Sequence, residues 1–272
     1  MNVDRSSPAA AVSADGTAIA YWASGNGPPL VLVHGGVGDH TRWGALTPYL
    51  EPHFTVCAMD RRGRGASGDH PDYHVEREYE DVVAVVAAAA EASGSAVAVY
   101  GSSYGGLCAF GAATRTEHIS RLMLYEGWPP VNPAAFAPPT GFLERTEALL
   151  AEGKGEAVLE MVFREVVKMS EAELDAYRAH PSWPARVATA HTFPREERAF
   201  AQARFDPQQA ARIAVPTLLL TGSESPDWYP EVETVAAALP DARVAVLEGQ
   251  GHVADVVAPE LVAAQLLAFL ER

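Results

Sequence analysis

Short apolar runs rich in β-branched residues recur along the chain, and stretches with a helical pattern separate most of them. The runs occupy residues 30–33, 54–59, 97–100, 122–125, 217–220 and 244–247. Runs of this kind are typical of strands that are buried on both faces. Their alternation with helices predicts an α/β fold, in which a mostly parallel sheet is covered by helices on both sides.

Further segments complete this arrangement. An Asp15-Gly16 pair between two short apolar-polar alternations predicts a β-hairpin near the N-terminus. Helices are predicted at residues 76–91, from Ser103 onward, at 231–239 and at 259–270.

The alternation of strands and helices stops between residues 128 and 213. This segment opens with five prolines, the first at 129 and the last at 139, and continues with helical periodicity but no convincing strand. We therefore expect residues 128–213 to form a helical lid, called the cap below. The cap is inserted in a core domain that comprises residues 1–127 and 214–272.

The composition fits a globular protein and excludes several classes of partner. Of the 272 residues, 48% are hydrophobic and 20% are charged, which is enough apolar material for a full core. A net charge of −15, with no basic run beyond residues 61–64, argues against a nucleic-acid or anionic-membrane partner. The longest uncharged apolar run, residues 82–90, is too short to span a membrane, and no signal peptide is visible. A cytoplasmic protein is expected.

The strongest chemical signal is a Gly-x-Ser-x-Gly motif at residues 101–105. It follows an apolar strand and precedes a helix, which is the context of a nucleophile elbow. Glycines two residues before and after the central serine relieve the crowding in a tight, strained turn. The spacing selects Ser103 as the nucleophile, because a motif centred on Ser102 would put Tyr100 where the first glycine is required.

A serine hydroxyl needs a nearby imidazole base to act as a nucleophile at neutral pH. His252 is the candidate base, because it follows the run at 244–247 through a short glycine-containing loop. Such a loop returns a side chain to the carboxyl edge of the sheet. His34, beside Gly35, is instead expected to support its own loop by hydrogen bonding.

Four motifs taken together resemble those of the α/β-hydrolase superfamily. They are Leu-Val-His-Gly-Gly at 32–36, Asp-Arg-Arg-Gly-Arg-Gly-Ala-Ser at 60–67, the serine motif at 101–105 and Gly-Gln-Gly-His at 249–252. The resemblance covers nearly the whole chain and implies the α/β-hydrolase fold with a serine nucleophile. It also implies an oxyanion hole made by the backbone N–H groups of Gly36 and Tyr104, which stabilise the negative charge of a tetrahedral intermediate. The charged segment 60–67 is expected to brace loops near the site through ion pairs.

The resemblance leaves the acid of the catalytic triad open. In the commonest family pattern an aspartate follows the glycine that ends the penultimate strand, but Ser225 occupies that place, with Glu224 and Asp227 nearby. A second location in the family lies at the end of the strand before the cap, as in haloalkane dehalogenases and in zearalenone-type lactonases, which use a glutamate there. Glu126 follows the apolar run 122–125 and matches this second location, where a carboxylate is costly unless it is paired. We rank Glu126 first and keep Asp227 and Glu224 as alternatives.

These features predict a serine hydrolase that cleaves a carboxylic ester or a lactone through an acyl-enzyme. The alternatives are a C–C bond hydrolase, a thioesterase or a lyase with the same triad, or a small-molecule receptor that has kept the fold without turnover. The mechanism needs no metal and no organic cofactor. His70 and His74 have the four-residue spacing of a helical metal-binding pair, but Pro71 disfavours a helix there.

Large apolar side chains in the cap are candidate contacts for an apolar acyl substrate. They are Trp128, Met161, Phe163 and Trp183. Packing between the cap helices would explain the same residues equally well. A small molecule is therefore the expected partner, neither nucleic acid nor a membrane is expected, and a homodimer is left open.

Overall fold

The computed structural model describes residues 7–225 and 227–271. Within these residues, eight strands form one sheet: β1 (Ala9–Val12), β2 (Ala18–Gly25), β3 (Pro29–Val33), β4 (Thr55–Met59), β5 (Val97–Ser102), β6 (Ile119–Tyr125), β7 (Thr217–Gly222) and β8 (Ala242–Leu247). Their order across the sheet is β1-β2-β4-β3-β5-β6-β7-β8. β2 pairs antiparallel with β1 and with β4, and the other neighbours are parallel. The predicted α/β class and N-terminal hairpin are confirmed.

Helices cover both faces of the sheet and occupy the segment between β6 and β7. The α-helices in the described ranges are α1 (Thr47–Leu50), α2 (Val75–Ser93), α3 (Tyr104–Ala113), α4 (Phe142–Ala151), α5 (Gly155–Glu165), α6 (Glu171–Arg178), α7 (Trp183–Thr189), α8 (Phe193–Phe200), α9 (Pro207–Ala210), α10 (Val232–Ala238), α11 (Ala254–Val257) and α12 (Pro259–Leu270). The four helices predicted from the sequence correspond to α2, α3, α10 and α12. No helix in this part of the chain is both long and apolar enough to cross a membrane.

The periodicity of each element explains which surface it buries. All residues of the central strands β3 and β5 are buried, so their sequences show continuous apolar runs instead of alternation. On α2, a stripe at helical spacing faces the sheet: Val82, Val85, Val86, Ala89 and Ala90 are all buried. The opposite face of the sheet is covered by α12, which buries Val262 and Leu266 against apolar strand residues.

Helices α4 to α8 of the cap form an apolar cluster of their own. Phe142, Leu159 and Phe193 belong to this cluster. Val37, from the loop after β3, and Val253, from the loop after β8, belong to it as well. The cap therefore packs on the loops at the carboxyl edge of the sheet, which is the edge where parallel α/β sheets bind their ligands.

Candidate active site

Ser103 lies at the sharp turn between β5 and α3. Its backbone has φ 55° and ψ −129°, a conformation that costs free energy for a residue with a side chain. The flanking glycines are needed because the chain folds back tightly: a Cβ on Gly101 would lie 2.6 Å from the Gly105 carbonyl oxygen, and one on Gly105 would lie 2.2 Å from that of Val33. The structure thus has the elbow geometry that the motif predicts.

A continuous chain of hydrogen bonds joins Ser103, His252 and Glu126. The Ser103 Oγ lies 2.9 Å from His252 Nε2, and His252 Nδ1 lies 2.6 Å from Glu126 Oε2. With the proton on Nδ1, the imidazole donates to the carboxylate and its Nε2 accepts from the serine hydroxyl. This is the arrangement in which an imidazole can take the proton of an attacking serine.

Glu126 is held rigidly behind the imidazole. Its side chain is fully buried, and its backbone, directly after β6, has φ 44°. Its second carboxylate oxygen, Oε1, accepts hydrogen bonds from the Gly222 N–H at 2.7 Å and from the Thr221 hydroxyl at 3.0 Å. Both donors come from the end of β7, so the carboxylate is satisfied by two neighbouring strands and by His252.

Neither of the two alternative acids forms a hydrogen bond with His252 in the described structure. Asp227 accepts a hydrogen bond from Lys168 Nζ at 2.6 Å, and the side chain of Glu224 is exposed. Glu126 is therefore the carboxylate that the fold brings to the imidazole, out of the three considered from the sequence.

The loop of the predicted oxyanion hole packs against the nucleophile. A Cβ on Gly35 would lie 3.0 Å from the Ser103 Cβ. His34 supports this loop: its Nδ1–H donates to the Gly35 carbonyl at 2.8 Å, and its Nε2 accepts from the Arg61 N–H at 3.1 Å. Burial, together with the nearby positive charge of Arg61, holds the pKa of His34 well below its usual range, so the ring stays neutral and keeps this pattern.

Gly36 and Tyr104 both line the cavity that contains Ser103. Tyr104 is the first residue of α3, where a backbone N–H has no acceptor within its own helix. The assignment of these two N–H groups to an oxyanion hole is compatible with this placement and stays a prediction.

A cavity of about 690 Å³ lies between the cap and the carboxyl edge of the sheet. Ser103 and His252 line it from the core, and aromatic side chains such as Phe163, Phe193 and Phe200 line it from the cap. The cavity is large enough for a drug-sized molecule, and both apolar and charged side chains line it.

Residues 30–265 match the model of the Alpha/beta hydrolase family. The matched range contains the elbow, Glu126 and His252. The chain belongs to the alpha/beta hydrolase family.

Three relatives place this alpha/beta hydrolase among known proteins. The solved structure of an alpha/beta hydrolase from Sphaerobacter thermophilus DSM 20745 has a TM-score of 0.81 and 37% identity, over 96% of this chain and 100% of the other. The (E)-2-((N-methylformamido)methylene)succinate hydrolase of Acinetobacter baylyi is 26% identical over 255 residues, 92% of this chain and 93% of its own. The 2-hydroxy-6-oxo-6-(2'-aminophenyl)hexa-2,4-dienoic acid hydrolase of Metapseudomonas resinovorans is 27% identical over 280 residues, 96% of this chain and 90% of its own.

Of the cap residues that the sequence offered as substrate contacts, not all line the cavity of this alpha/beta hydrolase. Of the four candidates for substrate contact, Phe163 lines the cavity. Met161 and Trp183 pack within the cap cluster instead, and the indole N–H of Trp183 donates to Glu156 at 2.9 Å. Neither side chain lines this cavity, because helix packing turns both toward the neighbouring cap helices, which is the packing alternative considered from the sequence.

Trp128 does not line the cavity either. It is fully buried and meets Trp228 edge to face, with ring centroids 5.3 Å apart. Trp228 lines the cavity, and its ring lies parallel to the His252 imidazole at a centroid distance of 5.9 Å. Trp128 therefore supports the ring that covers the imidazole, and Trp228, which the sequence reasoning missed, is the tryptophan that lines the cavity.

The charged segment 60–67 braces the site as expected. Arg61 donates to Glu78 on α2 at 2.7 Å and to Glu196 on α8, and Arg64 also pairs with Glu196. Arg62 forms a two-bond pair with Asp81, at 2.7 Å for each bond. These buried ion pairs tie the loop after β4 to the core helix α2 and to the cap.

One group of side chains in residues 7–225 and 227–271 has the spacing of a metal site, Asp39, His40 and Asp60. Its atoms are already used in hydrogen bonds. Asp60 Oδ1 accepts from the His40 N–H and ring at 2.8 Å, and Asp39 Oδ1 accepts from the Thr41 N–H at 2.9 Å. We therefore interpret the group as a brace between two loops.

Two arginines of the cavity wall were not recognised from the sequence. Arg42 is buried and forms a close pair with Asp255, with bonds of 2.9 and 2.5 Å, and it also donates to Tyr177 at 3.2 Å. Arg186, on α7, is buried in the same wall. Sequence alone offers no signal for either residue, since most arginines are solvated and only the tertiary fold shows which are enclosed.

Proposed function

We propose that this alpha/beta hydrolase cleaves a carboxylic ester or a lactone through an acyl-enzyme intermediate. The observation that carries the proposal is the hydrogen-bond chain from Ser103 through His252 to Glu126. Ser103 and His252 line the cavity below the cap. A serine that donates to a carboxylate-backed imidazole is the arrangement required for nucleophilic attack on an acyl carbon.

In the first half of the reaction, Ser103 Oγ attacks the substrate carbonyl while its proton moves to His252 Nε2. The carbonyl oxygen becomes an oxyanion and accepts hydrogen bonds from the N–H groups of Gly36 and Tyr104. When the tetrahedral intermediate collapses, the bond to the leaving alkoxy group breaks, and that oxygen takes the proton from His252. The products of this half are an alcohol and the acyl ester of Ser103; for a lactone, both remain parts of one molecule.

In the second half, His252 removes a proton from a water molecule that attacks the acyl ester. The intermediate collapses with return of the proton to Ser103 Oγ and release of the carboxylic acid. Glu126 accepts the Nδ1–H of His252 throughout, which fixes the ring orientation and stabilises the imidazolium that forms in each half.

The cavity wall indicates the size and character of the acyl compound. Apolar side chains from the cap, including Val162, Phe163 and Phe193, line one side, and Trp228 covers the imidazole. A wall of this kind stabilises a small, partly apolar acyl group by removing its surface from water. The mechanism needs neither a metal nor an organic cofactor.

A second candidate function is hydrolysis of a C–C bond next to a ketone. It is favoured by the similarity over nearly the full length to the 2-hydroxy-6-oxo-6-(2'-aminophenyl)hexa-2,4-dienoic acid hydrolase. Turnover of a 2-hydroxy-6-oxo-6-arylhexa-2,4-dienoic acid, followed by its loss of absorbance, with no turnover of aryl esters or lactones, would establish this candidate over the first.

The test is labelling by a fluorophosphonate probe, with peptide mass analysis, beside turnover of a panel of aryl esters and lactones. We expect the label on Ser103, loss of labelling and turnover in Ser103→Ala, and both retained in Ser102→Ala. Ser102 is the matched control, because it is adjacent and buried and contacts Arg42 at 3.4 Å instead of His252. Turnover that survives in Ser103→Ala would refute the proposal, and stoichiometric ligand binding without turnover would favour a receptor.

A further inference from the structure

Arg186 is enclosed in the wall of the active-site cavity, and none of the described residues gives it an acidic partner. Its side chain is 2% exposed. Its Nη1 donates to the Val37 carbonyl and its Nε to the Ser182 hydroxyl, both at 3.3 Å, and its guanidinium lies over the Tyr177 ring at 4.5 Å. The remaining nitrogen, Nη2, is buried and has no hydrogen-bond partner among the residues that the structure describes. Nη2 is thus a buried donor of a charged group that lacks an acceptor, and an anionic oxygen would satisfy it.

The other buried arginines have the carboxylate partner that Arg186 lacks. Within residues 7–225 and 227–271 they are Arg42, Arg61, Arg62 and Arg64, and each pairs with at least one buried carboxylate. Arg186 forms no ion pair with any described residue. A buried charge is costly unless it is paired, and burial lowers the pKa of Arg186 for the same reason.

Acidic side chains near Arg186 are engaged elsewhere or stand apart from it. Asp255 is taken up by Arg42, and Asp39 by Thr41. Glu196 lines the cavity but is held by Arg61 and Arg64. Glu197 also lines the cavity and forms no ion pair with Arg186 in the described structure. Arg186 is therefore a buried positive charge without an ion-pair partner among the described residues, although the carboxylates of Glu197 and Glu224 line the same cavity.

The position of Arg186 relates this charge to the reacting atoms. Its Nη1 donates to the carbonyl of Val37, the residue that follows Gly36. Arg186, Gly36 and Ser103 all line one cavity. A substrate anion bound by Arg186 would thus lie on the same side of the cavity as the loop of the predicted oxyanion hole.

We propose that Arg186 binds a free carboxylate of the substrate, so that the preferred substrates are esters or lactones that carry a second, ionised carboxyl group. This inference rests on the proposed function and specifies its substrate class. The residue is a determinant of specificity: the guanidinium orients the anionic end of the substrate while Ser103 attacks the acyl carbon at the other end.

The experiment compares two esters that differ by this charge, 4-nitrophenyl hydrogen adipate and 4-nitrophenyl methyl adipate, after subtraction of their uncatalysed hydrolysis. For the wild type we expect a higher kcat/KM on the hydrogen adipate. Arg186→Met, which removes the charge at similar volume, should lower kcat/KM on the hydrogen adipate by about 10- to 100-fold, mostly through KM, and change it on the methyl ester by less than about threefold. Arg186→Lys should recover part of the preference, because it restores the charge without the planar fork.

Arg198→Gln is the matched control. Arg198 is a half-exposed arginine of the cap that pairs with Glu147 and does not line this cavity, so its loss should leave the ratio of the two esters unchanged. A wild-type enzyme without preference for the hydrogen adipate would overturn the proposal. Equal losses on both esters in Arg186→Met, with a lower midpoint of unfolding, would also overturn it, because they would show that Arg186 only supports the Val37 loop.

Failure of the proposed function can be told apart from failure of this inference. If the wild type hydrolyses neither ester, the proposed function fails, and binding of adipate, measured by calorimetry, decides on the carboxylate site. Binding to the wild type that is lost in Arg186→Met would support the site. Absence of binding to the wild type would refute it.

Discussion

The Nδ1 atom of His252 lies 2.6 Å from the Oε2 atom of Glu126, although the two residues are separated by 126 positions in the chain. The donor and the acceptor come from the loop after β8 and from the end of β6, two strands that are separated by β7 in the sheet. β7 itself contributes Gly222 and Thr221, which hold the other oxygen of the carboxylate. The position of the Glu126 carboxylate is thus fixed by residues at or just after the ends of three strands, which meet at one edge of the sheet.

This contact predicts unequal effects of two carboxylate substitutions. Glu126→Gln removes the negative charge behind the imidazole and should lower kcat by about 10³- to 10⁴-fold, as expected for the acid of a triad. Asp227→Asn should change kcat by less than about threefold, because Asp227 pairs with the half-exposed Lys168 in the cavity wall and forms no hydrogen bond with His252, and partly exposed pairs contribute little. The measurement is kcat on one aryl ester, together with the rate of fluorophosphonate labelling. The reverse ranking of the two variants would mean that the acid is misassigned.

Gly127 is predicted to be essential for the elbow. A Cβ at this position would lie 2.2 Å from the Ser103 carbonyl oxygen and 2.7 Å from the Gly106 Cα. Gly127→Ala should therefore reduce the free energy of unfolding by about 1–3 kcal/mol and displace the nucleophile, with a large loss of turnover. Gly44→Ala is the control, since a Cβ at Gly44 meets no atom within 4 Å and should change stability by less than about 0.5 kcal/mol. Urea unfolding compares the two, and similar effects would contradict the steric argument.

Glu197 predicts a pH dependence of stability. Burial, assisted by the adjacent Glu196, raises its pKa from 4.5 to about 7. The folded state therefore holds this proton more tightly than the unfolded state, so the contribution to stability is greatest below pH 4.5 and is lost as the pH rises through 7. Between pH 5 and pH 8 the wild type should lose on the order of 2 kcal/mol of its free energy of unfolding through this group. Glu197→Gln should not show this loss. Urea unfolding at both pH values measures this, with the exposed Glu144→Gln as control; an unchanged pH slope in Glu197→Gln would exclude the buried acid as its cause.

We expect Glu196 to stabilise the fold through its buried ion pairs with Arg61 and Arg64. It accepts from Arg61 and Arg64, and all three side chains are buried. Glu196→Gln leaves two buried guanidinium groups without this partner and should reduce the free energy of unfolding by about 3 kcal/mol. Glu147→Gln breaks the half-exposed pair with Arg198 and should cost less than about 1 kcal/mol. Equal losses in chemical denaturation would show that burial does not distinguish the two pairs.

The elbow turn at Ser103 and the general layout could be predicted from the sequence because both depend on local patterns. Ser103 follows from two glycines at fixed spacing between a strand and a helix, and the turn is strained in the structure with φ 55°. The parallel sheet follows from apolar runs that recur at β3, β4, β5, β6, β7 and β8. Each pattern reports a steric or hydrophobic requirement within a few residues, so it can be read without knowledge of the remaining chain.

The orientation of the cap side chains could not be predicted from the sequence. Phe163 and Trp183 are both large and apolar, yet Phe163 lines the cavity while Trp183 turns into the cap and donates to Glu156. Helical periodicity shows that a helix has an apolar face, but only the packing of neighbouring helices decides whether that face meets another helix or the cavity.

The sequence by itself determined the α/β architecture, the elbow serine and a short set of candidates for its base and acid. The tertiary structure alone decided that Glu126, and neither Asp227 nor Glu224, hydrogen-bonds to His252. It also decided that Arg42 pairs with a buried carboxylate, while Arg186 has no such partner among the described residues. The physical reason is the range of the interactions. Backbone strain and hydrophobic periodicity act between residues close in sequence, whereas a hydrogen bond or ion pair requires atoms within about 3–4 Å, which only the folded chain brings together.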